Sequence, residues 1–244
     1  KITNAPSLVS TTFATSVALI MHDILSLHRP QKKPHIRMPR GQLLLFGLVF
    51  LLGFTQASAN RSILVFGDSL SAGYGMTPAE SWPALLAEEL SMRAPSVQLV
   101  NASVSGETTT GGILRLQKAL SVHNPDLVIL ELGGNDGLRG YPISRIKENL
   151  TKMIELCVDR DIDIILVGMV LPPNYGRRYT AAFEAVFRTI ASETALTGFI
   201  PFPLDGVATR RDLIQADGIH PKAEAQPLIV DQIRPWVEDW LSAF

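Results

Sequence analysis

The sequence predicts an α/β fold in which helices cover both faces of a parallel β-sheet. From residue 60 onward, short apolar runs rich in β-branched residues alternate with longer segments that have the apolar periodicity of helices. The apolar runs show no alternation of polar and apolar residues, so their strands should be buried on both faces. Strands separated by helices need crossover connections, which make neighbouring strands parallel. Together these observations predict a three-layer α/β/α sandwich.

The predicted strands and helices alternate along the chain. Four apolar runs predict strands at 62–67, 97–101, 126–133 and 163–170, and a weaker run predicts a fifth strand at 198–202. Helical periodicity predicts helices at 82–92, 113–123, 143–159, 179–196 and 223–241. The first four helices each lie between two successive strands. Because no repeat, linker or low-complexity tract interrupts the alternation, residues 60–244 are expected to form one domain.

The segment before this domain, residues 38–59, has the pattern of a secretory signal peptide. A positively charged start is followed by an uncharged apolar stretch, 43–54, of about 12 residues, which is too short for the roughly 20 that span a bilayer. The small residues at 57–59 suit a signal peptidase, so we expect cleavage after Ala59. The mature protein is then expected to be periplasmic or secreted, without stable membrane anchoring.

Residues 1–37 lie upstream of this signal and show no sustained helical or strand periodicity. We expect them to be upstream sequence that does not belong to the folded protein, and to be disordered. The alternative is a genuine N-terminal extension, in which case 43–54 would be a core helix or an uncleaved anchor.

Charge and cysteine content narrow the class of protein. Six basic residues and one acidic residue precede position 60, which leaves 16 basic and 22 acidic residues after it, a net charge of −6. An acidic domain does not provide the basic surface typical of nucleic-acid-binding proteins, so no nucleic-acid partner is expected. Cys157 is the single cysteine, so no internal disulfide is expected. It falls on the apolar stripe of the predicted helix 143–159, which favours a buried thiol over a reactive one.

Polar residues follow the predicted strands at the ends where a parallel sheet binds its ligands. Asp68 and Ser69 follow the first strand, Gly106 lies in the segment after the second, and Asn135 comes after the third. A fourth segment near the C-terminus, 217–220, contains an aspartate and a histidine. We therefore expect these four segments to converge at one edge of the sheet.

These residue types are the ones that acyl transfer requires: a hydroxyl nucleophile, an imidazole base, a carboxylate to orient it and donors for an oxyanion. Only two histidines follow residue 60, and His123 ends a helical segment, where an imidazole can interact with the helix C-terminus. Asp217 lies three residues before His220, so a tight turn can join carboxylate and imidazole. Ser69 is then the predicted nucleophile, His220 the general base and Asp217 its orienting acid.

Simpler interpretations remain open for each of these residues. Ser69 could cap the segment that follows it, and the turn at 217–220 could only begin a helix. Gly106 could serve a turn alone, and Asn135 could satisfy loop backbone. The sequence GDSLS at 67–71 also lacks both glycines of the G-x-S-x-G elbow of α/β-hydrolases, which indicates a different serine-hydrolase scaffold.

The sequence blocks around these residues resemble those of the SGNH (GDSL) hydrolases. The blocks are GDSLSAGYG, NASVSGETTTGG, ELGGNDGLRG, LPPNYGRRY and DGIHP, in the order that the family shows, and the resemblance covers residues 62–241. Within the family they are most similar to bacterial periplasmic thioesterases, lysophospholipases and arylesterases. The resemblance implies a flavodoxin-like, five-stranded parallel sheet of order 2-1-3-4-5.

The resemblance also implies roles for individual residues. Ser69, His220 and Asp217 match the catalytic triad, while Gly106, Asn135 and the Ser69 amide match the oxyanion hole. Substrate contacts are implied for Asp68, Leu70, Leu138, Tyr141, Asn174 and Ile219, and a mobile loop over the bound chain is implied for 136–141. Leu138 and Tyr141 could instead pack the loop. Arg177 and Arg178 could hold a phosphate or coenzyme A, or could simply begin a solvated helix.

The function implied in this way is hydrolysis of carboxylic esters and thioesters, such as aryl esters, acyl-CoA and lysophospholipids, by a monomer that forms an acyl-enzyme. The expected partner is a small-molecule ester or thioester with an acyl chain. No cofactor and no metal are expected, because the sequence has no metal-ligand spacing and no glycine-rich phosphate loop. Two alternatives stay open. One is an esterase for O-acetyl groups of carbohydrates or cell walls, and the other is a noncatalytic binding module, which would have no reason to retain both Ser69 and His220.

Overall fold

The computed structural model describes residues 60–244, in which five strands form one parallel sheet. The strands are β1 (Arg61–Gly67), β2 (Val97–Asn101), β3 (Leu127–Glu131), β4 (Asp163–Val167) and β5 (Gly198–Ile200). Their order is β2-β1-β3-β4-β5, and every neighbouring pair is parallel. The predicted fold class and strand order are confirmed. The predicted signal peptide at 38–59 and the upstream residues 1–37 lie outside the described residues.

Helices connect the strands in the manner that a parallel sheet requires. They are α1 (Ser69–Ala72), α2 (Trp82–Arg93), α3 (Thr109–His123), α4 (Gly134–Leu138), α5 (Ile143–Val158), α6 (Arg177–Glu193) and α7 (Gln226–Ser242), with 3₁₀ turns at Pro78–Glu80, Pro173–Tyr175 and Ala223–Ala225. Helices α2, α3, α5 and α6 provide the crossovers between successive strands. Within residues 60–244, no helix combines the length and the apolar character needed to cross a bilayer.

Element boundaries differ from the predicted ones where the chain leaves the sheet. The predicted strands 126–133 and 163–170 end earlier, at Glu131 and Val167, because their last residues turn out of the sheet into loops at its carboxyl edge. Helix α3 begins at Thr109, four residues before the predicted start. There the side chain of Thr108 caps the helix by accepting a hydrogen bond from the Gly111 backbone N–H, which stabilises a first turn that contains glycine.

Two apolar layers hold the helices against the sheet. Side chains alternate between the faces of β1, so that Leu64 and Phe66 point to one side and Ile63 and Val65 to the other, and all four are fully buried. The first face packs against α3, α5 and α6, and the second face packs against α2 and α7. Burial on both faces is therefore confirmed for β1, and β3 shows the same pattern.

Strand β2 is only partly buried, contrary to the expectation for apolar runs, because it is an edge strand and lacks a neighbour on one side. Cys157, by contrast, lies in the core as predicted, with 1% of its surface exposed. Burial raises the pKa of the Cys157 thiol to about 12, so the reactive thiolate is suppressed.

Candidate active site

Ser69 lies at the carboxyl end of β1, where the strand turns directly into the short helix α1. Asp68 caps this helix, because its Oδ1 accepts a hydrogen bond from the backbone N–H of Leu70 at 3.1 Å. Gly67 makes the turn possible, since a Cβ there would lie 2.5 Å from the buried carboxylate oxygen Glu131 Oε2. The strand, the glycine and the cap together hold the Ser69 hydroxyl at the edge of the sheet.

Ser69, His220 and Asp217 form a continuous hydrogen-bonded chain. The hydroxyl oxygen of Ser69 lies 2.9 Å from Nε2 of His220, and the other ring nitrogen, Nδ1, lies 2.6 Å from Asp217 Oδ2. An ionised carboxylate only accepts hydrogen bonds, so the proton of the neutral imidazole belongs on Nδ1 and leaves Nε2 free to accept from the Ser69 hydroxyl. The predicted convergence of distant segments is thus present in the structure.

The turn at 217–220 orients the imidazole through the Asp217 carboxylate. Asp217 Oδ1 accepts hydrogen bonds from the backbone N–H groups of Ile219 and His220, at 2.9 and 3.0 Å. Partial burial acts to raise the pKa of Asp217, but the hydrogen bonds from the His220 side chain and from these N–H groups outweigh it and lower the pKa to about 2. The carboxylate therefore stays ionised at neutral pH and can stabilise a protonated His220.

Gly106 and Asn135 line the same cavity as Ser69. Gly106 has a φ of +80°, a conformation that suits glycine, and nothing but the tip of Arg139 would approach a Cβ at this position. Asn135 is the second residue of α4, and its Nδ2 donates a hydrogen bond to Asp68 Oδ2 at 3.0 Å. Because an amide nitrogen carries two hydrogens, the second one remains available to a ligand.

The Asp68 side chain links the start of α1 to the Asn135 side chain by hydrogen bonds. Its side chain is 2% exposed, and its two oxygens accept from Leu70 and Asn135. Burial raises the pKa of Asp68 to about 6, although these hydrogen bonds and the nearby His220 oppose the rise. Asp68 thus orients the Asn135 amide, an interaction that the sequence blocks do not reveal.

The cavity beside Ser69 has a volume of about 670 Å³ and is lined mainly by apolar residues. Of the predicted substrate contacts, Asp68, Leu70, Leu138 and Ile219 line it. Two other predicted contacts are not among the lining residues, Tyr141 and Asn174. Tyr141 follows a turn at Gly140, and its carbonyl accepts a hydrogen bond from the Tyr179 hydroxyl on α6. Asn174 is exposed in the 3₁₀ turn Pro173–Tyr175, directly after the lining residue Pro173.

The segment 136–141, predicted as a mobile loop, is anchored at its start. Asp136 is fully buried in α4, and its two carboxylate oxygens accept hydrogen bonds from the backbone N–H and the hydroxyl of Thr109, at 2.8 and 2.6 Å. Mobility of the rest of this segment stays a prediction. Arg177 and Arg178 are both exposed at the start of α6.

Tyr74 is a feature of the site that motif reasoning missed. Its ring lies over the His220 imidazole, with 4.5 Å between ring centroids and 39° between planes. Gln215 ties the two segments together, because its Nε2 donates to the carbonyls of Tyr74 and Pro221. The signal was present in the block GDSLSAGYG, where an aromatic residue stands between two glycines.

Among residues 60–244, no group of three or more His, Cys, Asp or Glu side chains could hold a metal ion.

Comparison with known proteins agrees with this geometry. Residues 65–227 match the GDSL-like Lipase/Acylhydrolase family. The chain is 41% identical over 199 residues to Esterase TesA of Pseudomonas aeruginosa, an alignment that covers 82% of this chain and 98% of the relative. It is 43% identical to an arylesterase of Vibrio mimicus, over 77% of this chain and 94% of that protein.

A third relative and a solved structure extend the comparison. The chain is 39% identical to Thioesterase 1/protease 1/lysophospholipase L1 of Escherichia coli K12, over 79% of this chain and 92% of the relative. A crystal structure of TesA superimposes with a TM-score of 0.70 and 40% identity, covering 73% of this chain and 99% of that one. The family match and these identities mean that the chain belongs to the GDSL-like lipase/acylhydrolase family, as its sequence blocks predict, and is a GDSL-type carboxylic ester hydrolase.

Proposed function

We propose that this protein hydrolyses carboxylic esters and thioesters by nucleophilic catalysis at Ser69, with His220 as the general base and Asp217 as the residue that orients it. One observation carries the proposal. Ser69 Oγ lies 2.9 Å from His220 Nε2, while Asp217 Oδ2 lies 2.6 Å from the other nitrogen of the same ring. These are the distances over which a base can take the proton of an attacking hydroxyl.

In the acylation step, Ser69 Oγ attacks the acyl carbonyl carbon and His220 Nε2 takes the hydroxyl proton. Negative charge moves to the carbonyl oxygen, where the backbone N–H groups of Ser69 and Gly106 and the amide of Asn135 donate hydrogen bonds to it. The tetrahedral intermediate then collapses, the bond to the leaving alcohol or thiol breaks, and His220 returns the proton to the leaving group. Asp217 stabilises the imidazolium that exists between these two proton transfers.

Deacylation repeats the same steps with water as the nucleophile. His220 takes a proton from water as its oxygen attacks the acyl carbon, and the same donors hold the second oxyanion. Collapse of this intermediate releases the carboxylic acid and returns the proton to Ser69. The two half-reactions need only groups that this chain provides.

The cavity supports a substrate with an apolar acyl or aryl part. Its volume of about 670 Å³ and its lining of aliphatic, proline and phenylalanine side chains suit a hydrocarbon better than a sugar, which would need several polar partners. The relatives named as arylesterase and as thioesterase and lysophospholipase support the same substrate classes. We therefore favour aryl esters, acyl thioesters and lysophospholipids over carbohydrate O-acetyl groups.

Covalent labelling tests the nucleophile. A fluorophosphonate should modify Ser69 alone, and Ser69→Ala should lose both labelling and nearly all hydrolysis while keeping its circular dichroism spectrum. Ser105→Ala removes another hydroxyl from the cavity lining and should still be labelled. Labelling of the Ser69→Ala protein at a different serine, with turnover retained, would show that this other serine is the nucleophile.

A substrate panel tests the specificity. Rates should be compared on p-nitrophenyl esters from acetyl to palmitoyl, palmitoyl-CoA, lysophosphatidylcholine and an acetylated oligosaccharide. We expect kcat/KM to rise from acetyl to a longer chain, because each added methylene can bury apolar surface in the cavity. A preference for acetyl groups, with activity on the oligosaccharide alone, would instead identify a carbohydrate O-acetyl esterase.

The protein is also proposed to act in the periplasm or outside the cell. The support for this is the charge and hydrophobic pattern of residues 38–59 and the small residues at 57–59. N-terminal sequencing of the exported protein should therefore begin at Asn60. An exported protein that retains 38–59 would contradict the cleavage site.

A further inference from the structure

The loop between β2 and α3, which carries Gly106, is held by a guanidinium from the adjoining helix. Arg115 projects from the second turn of α3, and its Nε donates to Glu107 Oε2 at 2.6 Å. Nη1 donates to the carbonyl of Ala102 in the same loop, and Nη2 lies 3.4 Å from the carbonyl of Gly67, at the end of β1. One side chain thus joins the loop of the second strand to the end of the first.

The surroundings of Arg115 favour a fixed geometry. Its guanidinium carbon lies 3.9 Å from the centroid of the fully buried Phe66 ring, so the planar group is stacked as well as hydrogen-bonded. The Arg115 and Glu107 side chains are only 26% and 14% exposed, which reduces the screening of their charges by solvent. The ion pair is therefore more rigid than one at the open surface.

Glu107 is the chain neighbour of Gly106, so fixing the position of Glu107 also restricts the position of Gly106. The backbone N–H of Glu107 donates to the carbonyl of Val104 at 3.1 Å and closes the turn that contains Gly106. The Val104 N–H in turn donates to the Gly67 carbonyl at 3.1 Å, the same carbonyl that Arg115 approaches. A shift of the Glu107 carboxylate would therefore displace the Gly106 amide relative to Ser69.

The helix itself leaves room for this carboxylate. A Cβ at Gly111 of α3 would collide with Glu107 Oε1, which also accepts a hydrogen bond from the Thr108 N–H at 3.0 Å. A glycine in the first turn of a helix normally weakens it. Here its absent side chain makes the observed position of the Glu107 carboxylate possible.

We propose that Arg115 is a positioning residue for the oxyanion hole, which fixes the Gly106 amide relative to the Ser69 amide by joining Glu107 and Ala102 to the end of β1. This inference rests on the proposed function, in which both amides bind the developing oxyanion. Arg115 does not touch the substrate. It acts through the loop, so its loss should lower the rate of the chemical step more than the binding of substrate.

Steady-state kinetics of Arg115→Gln test the inference, with enzyme concentration set by fluorophosphonate titration so that only folded, competent sites are counted. We expect kcat for p-nitrophenyl butyrate to fall by about 10- to 100-fold while KM changes by less than about threefold, since removal of a whole oxyanion donor costs about 100- to 1,000-fold. The inhibition constant of an alkylboronic acid, which forms a tetrahedral adduct on serine, should rise in parallel with the fall in kcat/KM.

Two further variants separate positioning from stability. Arg234→Gln removes an arginine of similar exposure, 24%, that pairs with Glu89 and Asp231 far from the loop, and its kcat should stay at the wild-type value. Gly111→Ala leaves both charges of the Arg115 pair present but displaces the Glu107 carboxylate, so it should lower kcat as Arg115→Gln does.

The outcomes distinguish this inference from the proposed function. Wild-type kcat in Arg115→Gln, or an equal fall in kcat in Arg234→Gln, would overturn the positioning role while an inactive Ser69→Ala protein still supported the mechanism. Full activity in Ser69→Ala would overturn the mechanism itself, whatever the Arg115 variant does.

Discussion

Glu131 is hydrogen-bonded to the backbone of Asp68, whose N–H donates to Glu131 Oε2 at 3.3 Å. Both residues are 2% exposed, so two acids share one buried site behind the nucleophile. Asp68 accepts from Leu70 and Asn135, whereas Glu131 Oε2 has the Ser71 hydroxyl at 2.7 Å and Glu131 Oε1 has no hydrogen-bond partner among the described residues. Asp68 is the better hydrogen-bonded acid, so its site favours a negative charge more than the site of Glu131 does.

The surroundings of Glu131 favour its neutral form. Burial raises the pKa of Glu131 well above its ordinary value, and the nearby Asp68 carboxylate raises it further. The hydroxyl of Ser71 donates a hydrogen bond to Glu131 Oε2, which by itself lowers the pKa, but burial outweighs it.

Glu131→Gln should make the stability of the protein less sensitive to pH. Because the pKa of Glu131 is raised in the folded state, the folded protein holds a proton that the unfolded chain loses above about pH 4.5, and the contribution of Glu131 to stability falls as pH rises. Glutamine does not titrate, so the variant should gain relative to wild type by up to about 1.4 kcal/mol per pH unit. Urea unfolding of both proteins between pH 5 and pH 8 measures the difference.

The exposed Glu88→Gln serves as the matched control, since it removes one carboxylate from the surface of α2. A stability difference between Glu131→Gln and wild type that stays constant from pH 5 to pH 8 would contradict the assignment of a neutral Glu131.

The buried acids show where sequence reasoning stops short. The alternation of apolar runs and helical segments was enough to predict the layers and the crossovers, because parallel strands must be covered on both faces. It was not enough to predict the exposure of β2, since which strand lies at the edge depends on strand order rather than on the strand itself. Glu131 did leave a signal, as an acidic residue inside an apolar run that should be buried.

Residue types and spacing predicted Ser69, Asp217 and His220, and the structure brings these three side chains together. The support of these residues was less visible. The Asp68–Asn135 hydrogen bond joins residues that are 67 positions apart and depends on side-chain rotamers, which no local pattern encodes. The contact of Tyr141 with substrate stays a prediction, and its carbonyl accepts a hydrogen bond from the Tyr179 hydroxyl, a contact that the sequence also did not predict.

Asp68→Asn should lower kcat by about 10- to 100-fold with little change in KM. Asparagine caps helices as well as aspartate does, so α1 should survive. Its amide has one oxygen, however, whereas Asp68 now accepts from Leu70 and Asn135 with separate oxygens. The oxygen that keeps the Leu70 contact leaves an NH₂ group facing the NH₂ of Asn135. The Asn135 amide must then rotate away from its place beside Ser69.

A double-mutant cycle checks that Asp68 acts through Asn135. In an Asn135→Ala background, Asp68→Asn should lower kcat by much less than it does in the wild-type background, because the group it orients is already gone. Losses that simply multiply would mean that Asp68 acts on catalysis by another route.

Asp217→Asn should reduce kcat by about 1,000-fold or more, as loss of the orienting carboxylate does in other serine triads. The charge that holds the Nδ1 proton of His220 in place disappears, and an asparagine NH₂ at the position of Oδ2 would favour the wrong tautomer. Measured kcat and fluorophosphonate labelling rates at Ser69 should fall together.

Asp212→Asn is a suitable control for this variant, because Asp212 is an exposed acid nearby in the chain that pairs with Arg210. Its kcat should match wild type. An Asp217→Asn protein with more than a tenth of wild-type kcat would show that the carboxylate is dispensable for orienting the base.

Gly168→Ala should lower the free energy of unfolding by about 3 kcal/mol or more, at the upper end of overpacking effects. A Cβ at this position, just beyond β4, would overlap the backbone carbonyl oxygen of Pro201, and backbone cannot turn aside as a flexible side chain can. The Gly168 N–H also donates to the Ile200 carbonyl at 2.7 Å, so movement of either segment would break the link between β4 and the end of β5.

Gly206→Ala provides the contrast for this last effect. Gly206 has a φ of +73°, but open space surrounds its missing Cβ, so only backbone strain of about 1 kcal/mol is expected. Chemical denaturation of the two variants should therefore separate collision from strain, and equal losses of unfolding free energy would refute the collision.

Because Gly168 and Phe202 both line the cavity, Gly168→Ala should also raise KM for long-chain esters at temperatures where the protein is fully folded.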